Sequence, residues 1–153
     1  QVQRANFGNA QAQGANFGNA QLQGAYFGNA QVQRANFGNA QLQGAYFTNA
    51  QAQGADFRSA IFSTTTRFTR AEFLSALVAG TDFSMVSLTQ EQVNAAFGDS
   101  STKLSTGLSR PERHWPKWEM DLPTVYAQWE KYKTDPKSYV PPSPPDQSSD
   151  KPA

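Results

Sequence analysis

The sequence predicts an all-β solenoid: a chain that turns a corner every five residues and so winds into a four-sided coil. Three observations carry this reading. Alanine stands at every fifth position from Ala5 to Ala60. Two residues after each alanine comes an apolar residue, in the series Phe7, Ala12, Phe17, Leu22, Phe27, Val32, Phe37, Leu42, Phe47, Ala52, Phe57 and Phe62. Charge is nearly absent from the same stretch, where residues 1–57 hold only Arg4, Arg34 and Asp56. A period of five suits neither standard element. A helix would spread such positions around its circumference, and a strand would send alternate repeats to opposite faces. Four straight sides of five residues let each alanine and each apolar residue point inward, with coils stacked at about 4.8 Å. This also explains a core built from 38% hydrophobic residues, below the roughly 45–50% of ordinary globular domains.

Taken side by side, residues twenty apart stack into columns. Val2, Leu22, Leu42 and Phe62 form one, Phe7, Phe27 and Phe47 a second, Ala12, Val32 and Ala52 a third, and Phe17, Phe37 and Phe57 a fourth. Two columns of phenylalanine beside a narrow column with alanines read as packing, aromatic rings filling the space that small residues leave. After Phe62 the register slips by one residue. The spacing resumes at Phe68, Phe73, Val78, Phe83 and Leu88, with Thr66, Ala71, Ala76, Thr81 and Val86 in the alanine slot. The slip predicts a single inserted residue near Ser63–Thr66, bulging outward at a corner. The whole makes about four and a half coils, a rod roughly 20 Å long.

The units AlaAsnPheGlyAsn and AlaTyrPheGlyAsn, repeated almost unchanged, resemble the pentapeptide-repeat family and its motif Ala–(Asp/Asn)–(Leu/Phe)–X–X. The resemblance covers residues 1 to about 88 and implies a right-handed quadrilateral β-helix, a hand that the period alone does not determine. The segment from Leu88 to Asp99, with the GlyLeu, Pro and HisTrp that follow, resembles the tail of a group of bacterial pentapeptide-repeat proteins. Some of those carry membrane helices or other domains upstream. The chain starts at Gln1 inside a repeat, without methionine, which reads as a fragment or a processed product.

Three segments are expected. Residues 1–88 form the pentapeptide-repeat β-helix. Residues 89–138 form a capping helix followed by an irregular and helical extension. Residues 139–153 form a Pro-rich disordered tail with polyproline II character. The capping helix is read as Gln90–Phe97, with Thr89 as N-cap, Val93 and Phe97 on one side and Gly98 as its stop. It would cover the last coil, whose open edge otherwise invites pairing. A second amphipathic helix is expected over 121–134, with Pro123 near its start and Val125, Trp129 and Tyr132 on one face, set either on the solenoid flank or on a partner.

The composition bounds the chemistry. Without cysteine there are no disulfides or thiolate sites, and with a single histidine, His114, there is no histidine pair for acid–base work. His114 reads as a packed ring near Trp115 or the coil end. No phosphate loop, nucleophile elbow or calcium loop is present, and the glycine-rich stretch lacks the aspartates of calcium-binding β-rolls. No cofactor, metal site or small-molecule substrate is expected, and the chain reads as non-enzymatic. No apolar stretch is long enough to span a membrane. Scattered arginines without an aromatic platform speak against nucleic acid, and there is no threonine array of the ice-binding kind.

Function is then expected on the outer faces. Glutamine ladders stiffen the rod. Tyr26 and Tyr46, twenty residues apart, are expected to stack on one exposed side near Arg4 and Arg34 and to form a protein contact surface, with Trp129 and Tyr132 as a second one. The resulting reading is a structural or protein-binding scaffold, a subunit or assembly factor of a larger, membrane-associated complex, placed in the cytoplasm or tethered through an upstream part. The alternative implied by the family is mimicry of DNA toward type II topoisomerases. That needs dense negative charge, whereas the repeats set Asp56, Glu72 and Asp82 against Arg4, Arg34, Arg58, Arg67 and Arg70.

Overall fold

Parallel backbone ladders join residues twenty apart: Asn6 pairs with Tyr26, Gln11 with Gln31, Asn16 with Asn36 and Gln21 with Gln41. They define a four-sided coil in the computed structural model, which describes residues 2–145. We number the sides by the first coil: residues 2–5, 6–10, 11–15 and 16–20, each with its equivalents in later coils.

Local chemistry makes each corner. The alanine N–H closes a turn onto the carbonyl three residues back, as from Ala5 to Val2 at 3.1 Å and from Ala10 to Phe7 at 3.0 Å. The residue before each of these alanines is left-handed, with φ of 58° at Asn9, 67° at Gly14 and 58° at Asn19. Asparagine and glycine tolerate that region best, which accounts for their regular recurrence. The Asn or Asp that opens many sides accepts from the N–H two residues on, as in Gly8 to Asn6, Gly18 to Asn16 and Arg58 to Asp56, at 2.8–2.9 Å. This turn-forming bond gives a physical reason for Asn or Asp after the alanine.

Inside, the columns form as the twenty-residue phase predicts. Phe7, Phe27 and Phe47 stack with centroids 4.8 Å apart, and Phe68 continues the stack at 5.0 Å. Phe17, Phe37 and Phe57 make the facing stack, and the two stacks meet edge to face, Phe27 and Phe37 at 5.4 Å. Offset stacking along the axis with edge contacts across it suits the aromatic quadrupole. The inserted residue sits where the spacing placed it. Gln41 pairs with Ile61, but Tyr46 pairs with Arg67 and Gln51 with Glu72, twenty-one residues on. Thr64 and Thr65 bulge into solvent while Thr66 turns inward. Threonine in an alanine slot keeps its hydroxyl satisfied by the coil below: Thr66 donates to Leu42 O, Thr81 to Phe57 O and Thr102 to Val78 O, at 2.8–3.1 Å.

The last coil is closed by the chain itself. Strand β1 (Asp82–Phe83) pairs in parallel with β2 (Lys103–Leu104). Between them α1 (Gln90–Ala95) starts on a capping box, Thr89 and Gln92 each accepting the other's backbone N–H. Gln92 Nε2 also donates to Phe68 O and Ala71 O at 2.8 and 3.0 Å; Phe68 O already accepts the Ala71 N–H, whereas Ala71 O lacks the ladder donor that Ala50 O finds in Glu72 N–H. Val93, Ala96 and Trp115 complete the core at this end.

The capping helix is shorter than expected and Gly98 is not its stop. Ala96 is extended, with φ −83° and ψ 166°. Phe97 instead returns to the ladder, its N–H donating to Ala76 O at 2.7 Å and its backbone pairing with Leu77. A hydrogen-bonded coil edge outcompetes one more helical turn here.

Helix α2 (Leu122–Thr134) is capped by Asp121 and has proline in its first turn. It lies on the fourth side, where Leu77, Ala79 and Phe97 join Met120, Val125, Trp129, Tyr132 and Tyr139 in a second core. Tyr139 is buried and its hydroxyl is pushed up to about 12 by that burial. The expected start of the disordered tail at residue 139 is therefore too early, because this ring anchors the chain. Residues 146–153 of that expected tail lie outside the described residues.

Candidate functional site

The second side carries the two exposed tyrosines. Its sequences are AsnPheGlyAsnAla (6–10), TyrPheGlyAsnAla (26–30), TyrPheThrAsnAla (46–50) and ArgPheThrArgAla (67–71), with no acidic residue among them. The phenylalanine of each points inward, so the residue before it points out. Asn6, Tyr26, Tyr46 and Arg67 therefore form one outward column, joined by parallel pairing.

Tyr26 and Tyr46 are 43% and 45% exposed, unusual for large aromatic groups, and their rings lie 6.4 Å apart with planes tilted by 46°. The Tyr26 ring lies along the side rather than away from it. A methyl placed on Gly28 would collide with its hydroxyl oxygen, and one on Gly8 would meet its ring carbon at 2.7 Å. The two glycines make a shallow bed in which the ring rests, so an aromatic surface is presented with little freedom left to lose on contact.

Arginines frame the pair. Arg67 stands directly beyond Tyr46, and its guanidinium donates to Thr64 O at 2.7 Å and Thr66 O at 3.1 Å. The outward bulge thus holds this charge at one corner of the side. Arg70 follows Asn9, Asn29 and Asn49 at the opposite corner. Arg4 lies at the same corner as the bulge, its Cγ facing Gly24. None of the three has an ion-pair partner among the described residues.

Arg34 does not belong to this group. It faces Gly54 at the corner between the third and fourth sides, ten residues out of phase with Arg4's column, so it stands on the diagonally opposite edge. Trp129 and Tyr132 also fail as contact residues for a partner. Trp129 is 7% exposed and donates its indole N–H to Ser75 O at 2.7 Å. Tyr132 is 4% exposed and lies between Phe97 and His114, at 5.1 and 4.9 Å. Both pack on the protein's own flank, because the outward residue that is Asn16, Asn36 and Asp56 in earlier coils becomes Leu77. That switch from polar to apolar in one column was the available sign of the docked helix. Arg67 and Arg70 were missed because their places become visible only when the columns are carried through the one-residue shift.

His114 serves the cap. Its Nε2 lies 2.9 Å from Ala96 O, which also accepts the Trp115 indole N–H at 2.8 Å. A carbonyl only accepts, so Nε2 carries the hydrogen. Burial holds this imidazole below its usual range, and neighbouring Arg113 adds to the effect. The acids of the repeats do not form a negative surface. Asp56 is buried beneath α2, Asp82 lies 3.4 Å from Lys103, and Glu72 accepts from Gln53. Among the described residues no three His, Asp or Glu side chains gather as a metal site would require, and no helix is long and apolar enough to cross a membrane.

Comparison with known proteins places the repeats. The family model described as "Pentapeptide repeats" matches residues 3–39 and 25–63, with eight copies. No curated protein matches the chain. Among solved structures, a pentapeptide repeat protein from the Arabidopsis thaliana thylakoid lumen aligns at 19% identity and a TM-score of 0.48, covering 84% of this chain and 76% of that one. A trypsin-treated variant of QnrB1, a plasmid-mediated fluoroquinolone resistance protein, aligns at 19% identity and a TM-score of 0.32, covering 86% and 84%. A second such variant aligns at 18% identity and a TM-score of 0.31, covering 86% and 85%. With their five-residue sides, alanine columns and stacked phenylalanines, residues 3–63 are pentapeptide repeats, wound as a four-sided β-helical coil.

Proposed function

We propose that this protein is a non-enzymatic scaffold that docks another protein on its second side, around Tyr26 and Tyr46. The observation that carries the reading is the pair of half-exposed tyrosine rings, that of Tyr26 bedded on Gly8 and Gly28, bordered by arginines. Tyrosine and arginine are the residues most enriched at the energetic centres of protein interfaces. Rigid β-coil backbone beneath them keeps the ordering cost of binding low. Membership in a larger, membrane-associated complex, as a subunit or an assembly factor, is the finer form of the same proposal. Mimicry of DNA has no support from the repeats' surface, where arginine outnumbers exposed acid.

The test is recovery of tagged full-length protein from its own cells in mild detergent, with soluble and membrane fractions kept apart. Wild type is compared with Tyr26→Ser/Tyr46→Ser and with Leu74→Ser, which alters an exposed apolar residue on the third side. The expected result is a stoichiometric partner retained by Leu74→Ser and lost from the double tyrosine variant. A partner held equally by all three proteins would move the interface elsewhere. Topoisomerase subunits in the eluate would revive the mimic.

A further inference from the structure

We infer that the partner segment received by the second side is acidic: a stretch of protein rich in carboxylates that lies across the tyrosines. The inference rests on the reading of this side as a protein interface and adds the chemistry of what occupies it. Three guanidinium groups border the side, Arg4 at its first coil and Arg67 and Arg70 at its two corners in the fourth. The side itself carries no carboxylate, Glu72 and Glu91 near Arg70 lying beyond its corner, and none of the three arginines forms an ion pair among the described residues. The protein as a whole is close to neutral, with a formal net charge of +1. The local excess is therefore a property of this side and not of the composition.

The insertion sharpens it. The Thr64 and Thr66 carbonyls hold the Arg67 guanidinium beside the tyrosine column, so one face of the charge is fixed and its remaining N–H groups are available. Elsewhere on the coil Arg34 stands alone at the diagonal edge, and the other cations are paired. Arg58 lies 3.8 Å from Asp56, and Lys103 lies 3.4 Å from Asp82. Planar donors held in place select carboxylates. The geometry disfavours nucleic acid. Three charges spread over roughly 14 Å of rod, three coil spacings, are sparse beside a duplex that carries a phosphate charge about every 1.7 Å. Two rings tilted by 46° also share no stacking plane.

The test measures fluorescence anisotropy of a labelled polyglutamate peptide with the full chain, at low and at physiological salt. A neutral Gly/Ser peptide and an oligothymidylate serve as comparison probes. Polyglutamate is expected to bind in a salt-sensitive manner, and Arg67→Gln/Arg70→Gln should weaken it by about tenfold, the effect of losing two rim charges. Arg34→Gln, on the diagonal edge, should leave it unchanged. Equal weakening by Arg34→Gln, indifference to the Arg67/Arg70 change, or tighter binding of oligothymidylate would overturn the inference. The cellular recovery separates the two readings. A partner lost from the tyrosine variant but kept by Arg67→Gln/Arg70→Gln overturns the acidic occupant and leaves the interface standing. A partner kept by both removes the interface itself.

Discussion

The Tyr126 hydroxyl donates to Asp56 Oδ2 at 2.7 Å, joining α2 to the third coil across seventy residues of sequence. The contact is wrapped by Arg58, whose guanidinium carbon lies 5.0 Å from the centre of the Tyr126 ring and whose backbone N–H donates to the other Asp56 oxygen. It changes the meaning of Asp56. In the repeat register this residue belongs to an outward column, yet it is 5% exposed and serves the helix rather than the surface.

Tyr126→Phe should therefore loosen α2 while leaving the coil folded. Removing a hydrogen bond to a buried carboxylate costs about 1–3 kcal/mol. Denaturant unfolding followed by tryptophan fluorescence should show the loss, and limited proteolysis should find new cleavage within 121–139. Unchanged protection of that segment would mean that the apolar contacts of Val125, Trp129 and Tyr132 hold it unaided.

Phe37→Asp should abolish folding of the repeats. Phe37 is fully buried between Phe17 and Phe57 and edge-on to Phe27 and Phe47. A carboxylate there has no partner, a loss of more than about 4 kcal/mol. Circular dichroism and a gel-filtration profile suffice. Soluble, cooperatively unfolding protein would contradict the inward assignment of the stack.

Gly54→Ala tests the corners. Gly54 has φ +65°, and a methyl there meets only Arg34 Cγ, at an ordinary 3.5 Å. Sterics are thus nearly neutral, and the expected loss of about 1 kcal/mol reports the left-handed backbone alone. No change in the urea midpoint would show that the corner relaxes out of that region.

Acidification should weaken the cap through His114. Burial lowers its folded-state pKa below the ordinary value near 6.5. The unfolded chain then takes up a proton that the folded chain refuses. Stability is intact above the unfolded pKa and falls as pH drops below it toward the depressed folded value. His114→Gln, which keeps a donor for Ala96 O, should flatten the dependence of the melting temperature between pH 7 and 5, a window set by the unfolded histidine pKa of about 6.5. An identical slope in wild type and variant would assign the acid sensitivity to other groups.

How much was legible follows from what repeats. Inward columns, the one-residue insertion and the polar outer faces all follow from a period, since each depends on residues a fixed distance apart. The Asn and Gly recurrences are visible in the sequence but their role at the corners is not, because a positive φ leaves no mark of its own in composition. Arg34 was grouped with Arg4 because sequence proximity says nothing about which of four edges a residue occupies.

The sequence by itself determined a four-sided coil, its core of alanine and phenylalanine, its point of insertion and the exposure of Tyr26 and Tyr46. A five-residue period admits few other ways to bury the same positions. Only the tertiary structure decided that Trp129 and Tyr132 face inward on the protein's own flank, that Phe97 leaves the helix for the ladder, and that Arg67 and Arg70 join the tyrosine side. Those outcomes depend on non-repeating segments, where competing apolar surfaces and unpaired backbone groups settle the arrangement and no periodicity announces the winner.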